Sequence, residues 1–344
     1  MNFELSEEQQ RLYDEASAFA TAELNDDLEA RDEQCRFDER AWQKCGEFGA
    51  LAGLIPTEYG GRGLSTVSTI AQLEGLGYGC RDNGLTLAIN GQIWAVQEPI
   101  LRFGSETQKE RFLPGLCTGR LFGAHGMTET GSGSDAFSLS TTAEAVDGGY
   151  VLNGHKIYIG LAPVCDVALV FATTNPKLGQ WGLTAFLVEA DMEGFERGET
   201  QKKMGLRTGP FGELRFKDCF VPDCHRLAPV GAGVSVFNHC MEWERSFIFS
   251  SHVGAMARQL DETVTHARER KQFGQSIGQF QSVSNRIADM HMRLDASRLM
   301  LYRAAWLKDA GRPSARGAAR AHPQKAPSVV APRQGAQAHH RRPR

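Results

Sequence analysis

The stretch MEWERSF, residues 241–247, sets two carboxylates, Glu242 and Glu244, at the head of an apolar helical run. Two positions on one helix point about 200° apart, so the pair cannot share a task. A carboxylate held in a dry cleft acquires a raised pKa and can take a proton from a weak carbon acid. One on a wet or ion-paired face does no such work. Continuing the helical wheel past residue 247 centres Glu242 on the stripe Phe249, Val253 and Met256, and sets Glu244 opposite, beside Ser251 and Ala255. The wheel alone therefore buries Glu242. A face of small residues, however, lets a ligand approach a helix closely, which favours Glu244 as the base. Glu242 is then expected to be solvated or paired.

Other stretches offer less. GSGSD, residues 131–135, is either an ordinary polar turn or a loop whose amides and hydroxyls meet an anionic or flavin-like ligand. GAGVSV, residues 231–236, lacks the third glycine and the strand-to-helix context of a dinucleotide fingerprint. The eight cysteines form no CxxC and no Cys/His cluster, so no metal site is expected.

These residues need a scaffold, and 344 residues with 41% hydrophobic content suffice for two or three packed units. Eight of the 38 basic residues and none of the 41 acidic ones lie from Arg312 onward, leaving residues 1–311 at about −11. An acidic body argues against nucleic acid as a partner. The start MNFELSEEQQ has no leader character, and no apolar run nears the ~20 residues that cross a bilayer. The expectation is a cytoplasmic protein without membrane association.

The pattern predicts an α+β chain. Residues 1–118 read as a helical domain, with capping boxes at Ser6/Gln9 and Ser105/Gln108 and a loop at IPTEYGGRG. Residues 119–228 read as short strands forming an antiparallel sheet or small barrel, with turns at Asp147-Gly148 and Asn153-Gly154. Residues 229–311 read as a helical bundle, with Val283, Ile287, Met290, Leu294 and Leu301 as a second stripe. Residues 312–344, rich in Ala, Arg, Pro and His, predict a disordered tail. The abrupt change also raises an altered reading frame that leaves the bundle incomplete; resequencing the gene across codon 311 tests that idea.

ELSEEQQ, IPTEYGGRGLS, FGSETQKERFLPGLCTGR, MTETGSGSD, LNGHKIYIG, KKMGLRTGPFGELRFKDCFVP and ERKQFGQSIGQFQ, in this order, resemble the acyl-CoA dehydrogenase family over most of residues 1–311. The resemblance implies FAD bound between the β domain and the helical bundle. Met127 would offer a backbone contact to the flavin, Thr128 and Ser134 would lie against it, and Tyr158 would stack near it. Gly160 stands where the family usually has a threonine, so one hydroxyl contact is lost. Arg270, Gln272 and Phe273 match the pattern that reaches the cofactor of a neighbouring subunit, which implies a homodimer or homotetramer.

The implied reaction is α,β-dehydrogenation of an acyl thioester on CoA or a carrier protein. The base takes the α proton while hydride passes to flavin N5, and electrons continue to a flavoprotein or oxygen. No YEGT-like segment supplies the base usual in the family. ERSFIFSSHVG instead resembles the branch that keeps it on the first bundle helix, which includes isovaleryl-CoA dehydrogenases and the prolyl-carrier-protein dehydrogenases of secondary metabolism. Glu244, followed by Arg245, is the residue so assigned. A catalytically impaired remnant and a flavin oxidase or hydroxylase on the same fold are the alternative readings.

Overall fold

The computed structural model describes residues 4–312; the tail expected from the composition lies outside the described residues. The helices α1 (Glu7–Glu23), α2 (Leu28–Glu33), α3 (Glu39–Phe48), α4 (Thr66–Gly79), α5 (Asn83–Gln92), α6 (Glu98–Phe103) and α7 (Glu106–Cys117) build the first unit. Both capping boxes form, Ser6 with Gln9 and Ser105 with Gln108, so α1 and α7 start where their sequences satisfy the free amides. A π-helical segment, Ile93–Gln97, joins α5 to α6 and turns Ala95 and Val96 toward the cavity described below.

Helix α4 carries no Asp, Lys or Arg and is buried nearly all round, the pattern of a central helix. Its glycines allow backbones to touch. A Cβ on Gly77 would lie 1.7 Å from the Ser251 carbonyl oxygen, and one on Gly254 would lie 1.8 Å from that of Glu74.

The strands are β1 (Gly123–Gly126), β2 (Thr142–Val146), β3 (Gly149–Gly160), β4 (Val167–Thr173), β5 (Leu183–Glu189), β6 (Phe195–Arg197), β7 (Phe211–Pro222) and β8 (Arg226–Leu227). They form one sheet in the order β6-β7-β3-β2-β4-β5-β8, with β1 parallel to β4. The path ends at β6 and β8, which do not pair, so the barrel alternative is set aside: the sheet stays open.

Asp147-Gly148 makes the expected hairpin between β2 and β3, but Asn153-Gly154 does not turn. It sits inside β3 at a register shift against β7. The Asn153 side chain accepts from the Asp218 amide at 2.8 Å, and Thr141 packs where a Cβ of Gly154 would stand. Here tertiary pairing turns a hairpin signal into a bulge.

Helices α8 (Gly233–Phe247), α9 (Ser250–Glu269) and α10 (Gln281–Asp309) complete the order helices, strands, helices, with a small hairpin of β9 (Lys271–Gln272) and β10 (Gln275–Ser276) between α9 and α10. The sequence predicts one helix running on from MEWERSF, whereas the structure ends α8 at Phe247 and restarts at Ser250. The Ser250 hydroxyl donates to the Phe247 carbonyl at 2.6 Å, a local bond that competes with helix continuation. The α9 stripe is thus out of phase with α8, and the wheel that placed Glu242 at its centre does not hold.

The final residue of α10 caps α4: the Thr66 and Val67 amides donate to the Asp309 carboxylate at 2.7 and 3.0 Å. Asp309→Ala should lower stability by about 1–2 kcal/mol, seen as a reduced urea midpoint at constant slope. An unmoved midpoint would mean that water serves these amides equally well.

Candidate active site

A cavity of about 670 Å³ opens where α5, β1, the end of β3 and α8 meet. Helix α8 presents Asn238, Met241, Glu244 and Arg245 to it, and Ile248 follows at its C-cap, a spacing that keeps one helix face on the cavity. Glu242 points away and pairs with Lys308 of α10 at 2.9 Å. The same ammonium lies 4.5 Å above the Trp243 ring, which stacks on Trp94 with centroids 5.8 Å apart. The two glutamates therefore have separate settings: one braces α8 against α10, and the other faces the cavity.

What surface Glu244 retains opens onto this cavity, and no hydrogen bond reaches its carboxylate among the described residues. Burial pushes the carboxyl up to about 7, with the Arg245 charge opposing the rise. A carboxyl in that range exchanges protons near neutrality, the property a general base needs.

The opposite wall is built from β1 and the loop after it. Strand alternation puts Gly123, His125 and Met127 on the cavity side and Ala124 and Gly126 in the sheet core. Burial pulls His125 down to about 4, helped by the Lys156 charge, so its ring is neutral between Phe171 and Phe237. Thr128 and Ser134 line the same wall, and their hydroxyls have no partner among the described residues. Gly133 and Gly160 also border the cavity, and a Cβ on either would meet no protein atom within 4 Å.

Tyr158 reaches the cavity through the second register shift of β3, between Lys156 and Ile159, where it adopts a φ of 59°. Positive φ is unusual for a bulky residue, and the bulge that imposes it leaves the ring 62% exposed and 6.1 Å from Phe211.

This wall rests on a buried ion pair that the sequence reading missed. Lys156 donates to Glu129 at 2.8 Å and to the Met127 carbonyl at 3.1 Å. The same Glu129 carboxylate accepts from the amides of Ser140 and Thr141 at 2.6 and 3.1 Å and from the Thr141 hydroxyl at 2.6 Å. Burial would raise the Glu129 carboxyl, but the Lys156 charge and these donors hold it down to about 2. One carboxylate thus closes both ends of the GSGSD loop. His125 and Asn238 were also missed, although period-two alternation back from Met127 would have placed His125.

Met127, Thr128, Ser134, Tyr158 and Glu244 come together in this cavity, whereas Arg270, Gln272 and Phe273 do not. Those three lie at the C-terminus of α9 and on the β9–β10 hairpin, exposed, with Phe273 93% accessible at a φ of 51°. A role at a neighbouring copy's cofactor requires such outward display.

The arrangement fits a flat, polar-edged cofactor beside a reactive acyl group. Unpartnered hydroxyls and two glycines border open space, a tyrosine ring faces it, and the carboxylate stands across it. Among the described residues no group of three His, Cys, Asp or Glu side chains could hold a metal ion, and no helix is long and apolar enough to cross a membrane.

Comparison with known proteins agrees with this geometry. The chain matches the acyl-CoA dehydrogenase N-terminal domain over residues 6–120, the middle domain over 124–219 and the C-terminal domain over 231–326. It is 41% identical over 311 residues to the L-prolyl-[peptidyl-carrier protein] dehydrogenase of Serratia sp., covering 90% of this chain and 81% of that one. It superposes on the prolyl acyl carrier protein oxidase AnaB with a TM-score of 0.91 and 42% identity, over 92% of this chain and 84% of AnaB. The structure of PigA with FAD and proline gives 0.90 and 40%, over 93% and 84%. The chain belongs to the acyl-CoA dehydrogenase family.

Proposed function

We propose that this chain catalyses FAD-dependent α,β-dehydrogenation of an acyl thioester, with Glu244 as the base. The observation that carries the reading is the unpartnered Glu244 carboxyl, raised to about 7, in one cavity with Thr128, Ser134 and Tyr158. FAD, when bound, supplies the hydride acceptor. Thr128 and Ser134 would hold its polar edge through their hydroxyls, Met127 would offer a backbone contact and Tyr158 would lie against its ring, while Arg270, Gln272 and Phe273 would serve a neighbouring copy in a homo-oligomer. Glu244 in its ionised form takes the α proton.

The acyl group is proposed to be prolyl, carried on a peptidyl carrier protein. A cavity for a plain aliphatic chain needs apolar walls, whereas here Asn238 and His125 join Met241 and Phe237 in lining it. The relatives named for prolyl carriers support the same choice. Prolyl-carrier thioester should give a kcat/KM at least about tenfold above that of isovaleryl-CoA, because a hydrogen-bonding pocket discriminates against a substrate lacking the partner group. Comparable values would remove the prolyl assignment, and inertness toward every thioester would remove the function itself. Consumption of oxygen against reduction of an added flavoprotein identifies the electron acceptor.

The pH dependence follows from the base. Glu244 works ionised, so kcat/KM should fall about tenfold per pH unit below about pH 7 and level off above it. A profile flat from pH 5 to 8 would remove Glu244 from this role.

A further inference from the structure

Outside the cavity, a turn of one 3₁₀ helix, Asp223–His225, follows β7 and carries the chain's most accessible thiol. Of the eight cysteines, all free, Cys224 is exposed, Cys35 is partly covered and the other six are buried. Cys224 Sγ lies 3.3 Å from His225 Nδ1, and His225 Nε2 lies 2.6 Å from Glu189 Oε1 at the end of β5. Proton placement follows from these partners. Glu189, an acceptor, fixes the hydrogen on Nε2, which leaves the Nδ1 lone pair facing the thiol.

The surroundings hold this arrangement in place. Arg111 of α7 donates to both Glu189 oxygens at 2.8 and 2.9 Å. Burial would raise the Glu189 carboxyl, but Arg111 and His225 together keep it below the usual range, so it stays the acceptor. Gln108 of α7 donates to the carbonyls of Cys224 and Arg226 at 2.8 and 3.1 Å, which pins the turn. Phe112 packs its ring edge-on to His225 with centroids 6.1 Å apart. The remaining charges nearby are Asp191, which acts on Arg111, and Asp223, paired with Arg226 at 3.4 Å.

A nucleophile within hydrogen-bond reach of a base, and that base oriented by a carboxylate, is the arrangement that activates a thiol. The turn lines neither the cavity described above nor the cleft beside Tyr78 and Arg258, and its thiol is open to solvent, so the partners it suits are small and diffusible. We propose that Cys224 is a nucleophilic surface thiol that forms mixed disulfides with low-molecular-weight disulfides, with His225 as its base and Glu189 as the positioning carboxylate. His225 Nδ1 takes the Sγ proton, and the thiolate attacks one sulfur of the disulfide. The new S–S bond forms as the old one breaks, and the departing thiolate leaves as a thiol with the proton from the imidazolium. The small disulfide is the oxidant, and nothing else is consumed.

The test treats the whole folded chain with hydroxyethyl disulfide and reads adducts by intact-mass and peptide mass spectrometry. The first adduct should fall on Cys224 and be absent in Cys224→Ser. Its rate at pH 7 should exceed that of a small unassisted thiol at the same pH by at least about tenfold, and His225→Gln should remove that advantage. Glu189→Gln should lower the rate in the same direction. A first adduct on Cys35, or a rate in the unaltered chain less than about tenfold above that of the small thiol, would overturn the proposal; neither outcome depends on a variant folding.

Discussion

Glu244→Gln should lower kcat by roughly 10²–10⁴-fold, the range a positioned base contributes, while the protein keeps its flavin and its fold. Glutamine preserves the shape of the side chain and removes only the lone pair that receives the proton. The substitution also relieves a partly covered carboxyl that desolvation raises to about 7, so the folded chain should be no less stable for it. Glu242→Gln is the matched control. It lies two residues away on the same helix but faces Lys308, and its loss should change kcat less than about threefold and cost no more than about 1 kcal/mol, as for a partly exposed ion pair. Equal effects of the two substitutions on kcat would show that helix integrity, and not proton transfer, sets the rate.

The second large effect is structural. Lys156→Met should destabilise the apoprotein by about 3–5 kcal/mol, because Glu129 is left charged and buried without its cation. The wall carrying Met127, Thr128 and Ser134 hangs on that pair, so flavin affinity should fall with it. A double variant, Lys156→Met with Glu129→Leu, removes both charges and should recover much of the stability but not the flavin affinity, because the loop's own anchors are lost with the carboxylate. Measuring apoprotein keeps cofactor linkage out of the comparison. The sign with pH is fixed. The carboxyl sits at about 2 in the folded chain and at about 4.3 unfolded, so its contribution is complete above about pH 5 and is lost as pH falls toward 2. A Lys156→Met apoprotein as stable as the parent would mean that water replaces the ammonium.

Local signals in the chain were legible where one element could satisfy them alone. Ser6 and Ser105 cap their helices because the partner glutamine is three residues on, and Asp147-Gly148 turns because its own backbone dictates it. Signals failed where a distant group decided the outcome. Asn153-Gly154 is drawn into a strand by Asp218 and Thr141. Lys156 carries no local sign of its burial, because the partner that allows it, Glu129, lies 27 residues earlier. The helical wheel failed for a different reason, since a serine hydroxyl bond broke the helix on which it relied. The site residues from motifs within one segment, Met127, Thr128, Ser134 and Tyr158, do share the cavity with Glu244. The hairpin residues Arg270, Gln272 and Phe273 were legible as a motif, yet they lie exposed and outside the cavity, and the role proposed for them is on a neighbouring copy.

Glu244 is proposed to remove the α proton of a thioester beside a bound flavin. Anaerobic mixing of the flavin-loaded protein with prolyl-carrier thioester, followed through the visible absorbance of oxidised flavin, tests it most directly. Rapid bleaching in the unaltered protein, and bleaching slowed at least about 100-fold in Glu244→Gln at equal flavin content, is the predicted result. Bleaching at the same rate in both would contradict the account.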